Sequence, residues 1–191
     1  MRPWSSSSAS RAGSRPSITH VSTPAARSGA AFVKVGLWGV ANEAEAVALL
    51  RAVREAIAGV PGAEVVAGAY ADARRVAPAP LAPELLPRVA RAAGVKVCLL
   101  DTAIKDGRGL LDWLSPDELT SFVDDARAGG LEVALAGALR AEDLPVVQAA
   151  GADIAGVRSA ACGEGRRSGP LEAARVHALR AACAATPRAS R

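Results

Sequence analysis

From residue 31 onward the chain alternates short, nearly continuous apolar runs with longer amphipathic stretches. The runs are "AFVKVGLW" (31–38), "EVVAGAY" (64–70), "VKVCLLD" (95–101), "LEVALAG" (131–137) and "DIAGV" (153–157). Apolar character at consecutive positions predicts strands covered on both faces, as in a parallel sheet. Between the runs, Val47, Leu50, Val53 and Ile57 fall on one face of a stretch opened by Asn42 and Glu45, and "SPDE" (115–118) joins an N-cap Ser to a Pro at the first helical position and a Glu at the third. Both are helix-start signals. Further helices are expected over roughly 81–93, 141–150 and 170–184, with Pro145 confined to the first turn of its helix or making it irregular. Strand followed by helix throughout predicts an α/β chain with a parallel sheet.

The first thirty residues follow no such pattern. They are rich in Ser, Arg, Pro and Ala, carry Arg2, Arg11, Arg15 and Arg27, and contain no acid. A disordered tail is expected over 1–28, followed by a single domain over 29–191. Arg- and Ser-rich, acid-poor starts also resemble organelle transit peptides, whereas the lack of an apolar core segment argues against a secretory signal. A misplaced start or a frame error is a third reading.

Charge then changes little. The formal +4 comes from the tail, since the remainder holds 19 of the 23 basic residues against 19 acidic ones. Six aromatic residues in all are too few for a stacking surface, and no basic patch interleaves with them, so nucleic acid is not an expected partner. No run approaches the roughly 20 apolar residues needed to span a bilayer, so no membrane partner is expected. Three cysteines (Cys98, Cys162, Cys183) without CxxC or His spacing support neither a disulfide framework nor a metal site, and they fit a cytoplasmic location.

Lysine usage carries more information. Of the 23 basic residues only Lys34, Lys96 and Lys105 are lysines. Where Arg serves for solvated charge, a retained Lys points to a need for an amine, the one basic side chain able to give up its proton near neutrality. In parallel α/β folds the chemistry collects at the carboxyl ends of strands. Asp101 ends its strand and Lys105 lies in the following turn of "LLDTAIKDG". Lys34 sits inside "FVKVGL", where a barrel would point it inward, unless it is an edge residue whose ammonium snorkels to water. Lys96 starts its strand at the other end and is expected to be a solvated surface charge. Gly137 in "ALAG", with Gly156 and Arg158 in "GVRSA", ends the last two strands, where backbone N–H groups of barrel enzymes commonly meet phosphate; glycines there are also simply turn formers. His20 and His177 are poorly placed for catalysis, and Asp72 is open between a turn role and a site role.

Taken together, "FVKVGLWG", "AGAYADA", "LLDTAIKDGRGLLDWLS", "ALAGAL" and "DIAGVRSAAC" resemble the (5-formylfuran-3-yl)methyl phosphate synthase family of methanofuran biosynthesis, from about residue 29 to residue 182. The segment before Ala25 shows no such likeness. The resemblance implies a TIM-type (β/α) barrel, of which the last five βα units are present. It further implies joining of two glyceraldehyde 3-phosphate molecules with loss of phosphate and water, without metal or organic cofactor. Lys34 would match a proton acceptor, and Asp101 and Lys105 further active-site residues, with Asp101 orienting Lys105 or relaying a proton. Family members also use a Schiff-base lysine on an earlier strand, and no lysine precedes Lys34 here. Two alternatives therefore stand beside an active synthase: an inactive fragment of one, and an unrelated class I aldolase using Lys105 as its own Schiff base. An open sheet edge would favour homo-oligomers.

Overall fold

The computed structural model describes residues 29–40 and 42–185. The tail expected over 1–28 lies outside the described residues. Strands β1 (Phe32–Gly36), β2 (Glu64–Tyr70), β3 (Val97–Asp101), β4 (Glu132–Ala136) and β5 (Ile154–Gly156) form one sheet in the order β1-β2-β3-β4-β5. Every neighbouring pair is parallel. The helices are α1 (Glu43–Ile57), α2 (Leu86–Ala93), α3 (Pro116–Ala128), α4 (Leu144–Ala149) and α5 (Ala173–Ala185).

The strands lie where the apolar runs predict them; β2 fills its run and the other four are shortened by one or two residues at their ends. Asn42 caps α1, its Oδ1 accepting from the Glu45 N–H at 2.9 Å. Ser115 and Glu118 form a reciprocal capping box at α3, with Pro116 in the first turn. Two helices depart from expectation. The one expected over 81–93 starts as a 3-10 turn at Pro83–Leu85 and becomes α-helical only at Leu86. The one expected over 141–150 likewise opens with a 3-10 turn, and Pro145 then stands in the first turn of α4. In both, a proline within the region limits where regular i to i−4 bonding can begin.

Period-two alternation gives the sheet two unlike faces. On the outer face Val33, Val35, Val65, Ala67, Cys98, Leu100, Val133 and Leu135 pack into one core with the buried sides of the first three helices, including Leu50, Val53, Leu86, Val89, Leu119 and Val123. The inner face holds a small apolar plug of Val66, Val97, Leu99 and Ala134. Toward the carboxyl ends that same face changes to Lys34, Gly36, Gly68, Tyr70 and Asp101.

Candidate active site at the strand carboxyl ends

Lys34 and Asp101 come from strands that are not neighbours, and β2 lies between them. The Lys34 stem crosses β2 over Gly68, where an added Cβ would stand 3.5 Å from Lys34 Cε and 3.3 Å from the Val35 carbonyl oxygen. Glycine in a strand interior is usually a weakness, and here it clears the path for a neighbouring side chain. Lys34 Nζ then donates to Asp101 Oδ2 at 2.6 Å. The Asp101 side chain is only 17% exposed while that of Lys34 is 45% exposed, so the pair sits at a wetted rim above the apolar plug.

The other carboxylate oxygen organises the following loop. Asp101 Oδ1 accepts from the Thr102 N–H at 2.8 Å and from Lys105 Nζ at 3.4 Å. Lys105 folds back over its own turn, donating also to the Thr102 carbonyl at 2.6 Å and the Thr102 hydroxyl at 3.2 Å. Asp101 thus holds both lysines, Lys34 more closely. Burial by itself would push the Asp101 carboxyl up, but the hydrogen bond from Lys34, the charges of Lys34 and Lys105 and the Thr102 N–H together bring it below the ordinary carboxylate range. An ionised carboxylate between two amines orients both and receives or passes on a proton in either direction.

Asp72, open between two roles in the sequence, positions this loop. It is 1% exposed, and its two oxygens accept from the N–H groups of Ala103 and Ile104 at 2.7 Å each. A buried carboxylate spent on two backbone donors ties the end of β2 to the turn that carries Lys105. Farther along, Arg108 pairs with Asp106 and lies 4.1 Å from the centre of the Trp113 ring.

The residues expected to bind phosphate stand at the carboxyl ends of β4 and β5, and each also has a local structural task. Gly137 adopts φ +115°, its carbonyl accepts from the Leu110 N–H at 2.8 Å, and a Cβ there would come 2.9 Å from Thr102 Cγ2. Gly156 pairs with Ala136, whose Cβ would stand 2.9 Å from an added one. Arg158 is exposed and donates to the Arg167 carbonyl at 3.3 Å. Lys96 behaves as expected: it is exposed, 3.7 Å from Glu64, at the opposite end of the sheet. His177 lies on α5 and His20 outside the described residues. Among the described residues no group of His, Cys, Asp and Glu is placed to hold a metal ion, and no helix is long and apolar enough to cross a membrane.

Sequence reasoning missed four contributors: Gly36, Gly68, Tyr70 and Thr102. The signal for three of them was present. Counting by twos from Lys34 reaches Gly36, and "GAY" sets Gly68 and Tyr70 on one face of the neighbouring strand.

Parallel βα units in sequential order, with lysine and carboxylate gathered at the strand carboxyl ends, are the architecture of a (β/α)-barrel enzyme. The fold is similar to that of 3-hexulose-6-phosphate synthase, with a TM-score of 0.55 and 22% identity, covering 86% of this chain and 67% of that one. It is a TIM-barrel-type fold, and the open five-stranded sheet of the described residues fits an arc of such a barrel. A family model described as 4-HFC-P synthase matches residues 11–180. The (5-formylfuran-3-yl)methyl phosphate synthase of Methanocaldococcus jannaschii is 44% identical over 168 residues, which are 87% of this chain and 71% of that protein. The protein of the same name from Methanopyrus kandleri is 49% identical over 141 residues, 73% of this chain and 59% of its own length. The chain belongs to the 4-HFC-P synthase family. It spans between 59% and 71% of the length of these two relatives. The match also corrects one expectation: it begins at residue 11, although the segment before Ala25 carries none of the strand-end motifs on which the sequence likeness rests.

Proposed function

We propose that the chain works as a (5-formylfuran-3-yl)methyl phosphate synthase, a carbon–oxygen lyase that builds a furan phosphate from two glyceraldehyde 3-phosphate molecules in cytoplasmic methanofuran-type biosynthesis. One observation carries the assignment of residues: the 2.6 Å contact of Lys34 with Asp101 across the bare Gly68. Elimination of phosphate and carbon–carbon bond formation both require protons to leave and rejoin carbons beside a carbonyl. Lys34, reaching in from β1 with part of its surface open to solvent, is the proton acceptor. Asp101 holds Lys34 in place, takes up the Lys34 ammonium proton so that the amine is free to accept one from carbon, and keeps Lys105 turned toward the same rim. Two ammonium groups there also complement a doubly phosphorylated intermediate. Gly137, Gly156 and Arg158 remain the proposed contacts for one phosphate, since they stand at the corresponding strand ends.

A second reading is favoured by the pairing of both strand-end lysines, Lys34 and Lys105, with Asp101. In it the chain carries out the proton transfers but does not itself form the imine. Incubation with glyceraldehyde 3-phosphate, with furan phosphate and released phosphate followed by mass spectrometry and borohydride trapping of any imine, separates the two. Furan phosphate that vanishes in Lys34→Arg supports the first reading, because Arg keeps the charge and cannot give up a proton. Proton exchange without furan phosphate or adduct supports the second. A reduced adduct on Lys105 with turnover would assign the imine to that residue and overturn its role as a positioned cation.

A further inference from the structure

Tyr70 ends β2 on the inner face, in direct register with Asp101. Residues paired in a parallel ladder point the same way, so the phenol stands beside the Asp101 carboxylate at the rim. Its ring leans toward β1. The hydroxyl lies over Gly36, where an added Cβ would be only 2.2 Å from Oη, and Trp38 meets the ring edge-on with centroids 5.8 Å apart. Gly36 and Gly68 therefore leave space for two different things, the phenol at the rim and the Lys34 stem beneath it. The ring is packed from two directions, yet its hydroxyl makes no hydrogen bond among the described residues. Burial, followed by the nearby charges of Asp101 and Asp72, holds the phenol above its ordinary pKa, so at neutral pH it remains a donor.

A packed ring whose hydroxyl has no protein acceptor among the described residues, next to a lysine–carboxylate pair at a wetted rim, is placed to donate to a ligand oxygen in front of it. We propose that Tyr70 is a further catalytic residue: its hydroxyl donates a hydrogen bond to the carbonyl oxygen of a phosphorylated aldehyde bound against Lys34 and Asp101. This rests on the function proposed above. As the Lys34 amine takes a proton from the carbon beside the carbonyl, the C–H electron pair becomes the new carbon–carbon π bond and the former carbonyl π pair moves onto oxygen. The Tyr70 O–H stabilises the charge on that oxygen and keeps its own proton, so nothing is oxidised or reduced.

The test uses the fact that Tyr70 is the only tyrosine of the chain. Incorporation of 3-fluorotyrosine gives a single fluorine NMR resonance, to be titrated with glyceraldehyde 3-phosphate and with glycerol 3-phosphate, which lacks the carbonyl. Binding of both is followed in parallel by calorimetry. The resonance is expected to move with the aldehyde and much less with the alcohol. Tyr70→Phe, which keeps the ring over Gly36 and against Trp38, is expected to lower kcat for proton exchange by about 100-fold to 1,000-fold with a far smaller change in KM. Tyr70→Phe within a few-fold of the parent, or a resonance that responds equally to both ligands or to neither while binding is seen, overturns the role of Tyr70 alone. Failure of the parent to bind glyceraldehyde 3-phosphate overturns the proposed function and this inference together.

Discussion

The two faces of the sheet use the same strands for opposite purposes. Leu100 and Leu99 are adjacent residues of β3: Leu100 is fully buried in the large core beneath the helices, and Leu99, 8% exposed, belongs to the small inner plug. One residue later the inner side becomes Asp101 and the site begins. Each strand thus carries a packing edge and a chemical edge a single residue apart, and alternation alone keeps them separate. The outer face is continuous and apolar, which supplies stability. The inner face is glycine, a thin apolar floor and charge, which supplies reach. Substitutions on the two faces should therefore fail in different ways.

Leu100→Ala is expected to give the largest loss of stability, toward the upper end of the roughly 2–5 kcal/mol seen for buried Leu truncations, because helices and sheet cannot close around the cavity. Leu99→Ala should fall toward the lower end, since its cluster is small and bordered by solvent. Urea unfolding of both measures the difference, and equal losses would erase the distinction between the faces.

Asp72→Ala comes next. It strands the Ala103 and Ile104 N–H groups and should cost about 1–3 kcal/mol. Because Asp72 fastens the turn that carries Lys105, activity should drop by more than the stability loss explains, and Asp72→Asn, with one acceptor left, should recover part of it. Ser115→Ala breaks the capping box of α3, where Ser115 bonds Glu118 and none of the candidate site residues, and should cost about 1 kcal/mol with turnover unchanged.

The smallest effect is a titration. Tyr70 should ionise above the ordinary tyrosine value, and tyrosinate absorbance reports it alone. Asp101→Asn should bring the transition down only part of the way, because burial, the larger cause, remains. The raised phenol contributes stability that is present below the unfolded-state pKa and lost as pH rises through the folded one. Asp101 has the opposite sign: its lowered pKa contributes stability above the unfolded carboxylate value, lost as pH falls through the folded one.

How much of this was legible beforehand follows from which interactions are local. Strand positions, the Asn42 and Ser115 caps and the gathering of Asp101 with Lys105 are set by residues within one or two turns of each other, and the sequence displays them directly. The Lys34–Asp101 contact spans 67 residues. It was reachable only as an inward-pointing lysine, and its partner became visible once β2 stood between the two strands. Asp72 shows the limit most clearly: its role lies in two backbone N–H groups about thirty residues away, and backbone donors leave no mark on side-chain patterns. Counting by twos places Gly36 and Gly68 on the inner face, but the neighbour that each glycine admits is a property of the sheet and not of the strand.

In the proposed function Lys34, held by Asp101, moves a proton at a carbon next to a carbonyl. Its most direct measurement is deuterium incorporation at carbon 2 of glyceraldehyde 3-phosphate in heavy water, followed by NMR for the parent chain and for Lys34→Arg. Exchange should be accelerated by the parent and reduced by at least about 100-fold in Lys34→Arg, with the unfolding midpoint unchanged. Exchange by Lys34→Arg at the parental rate would contradict it.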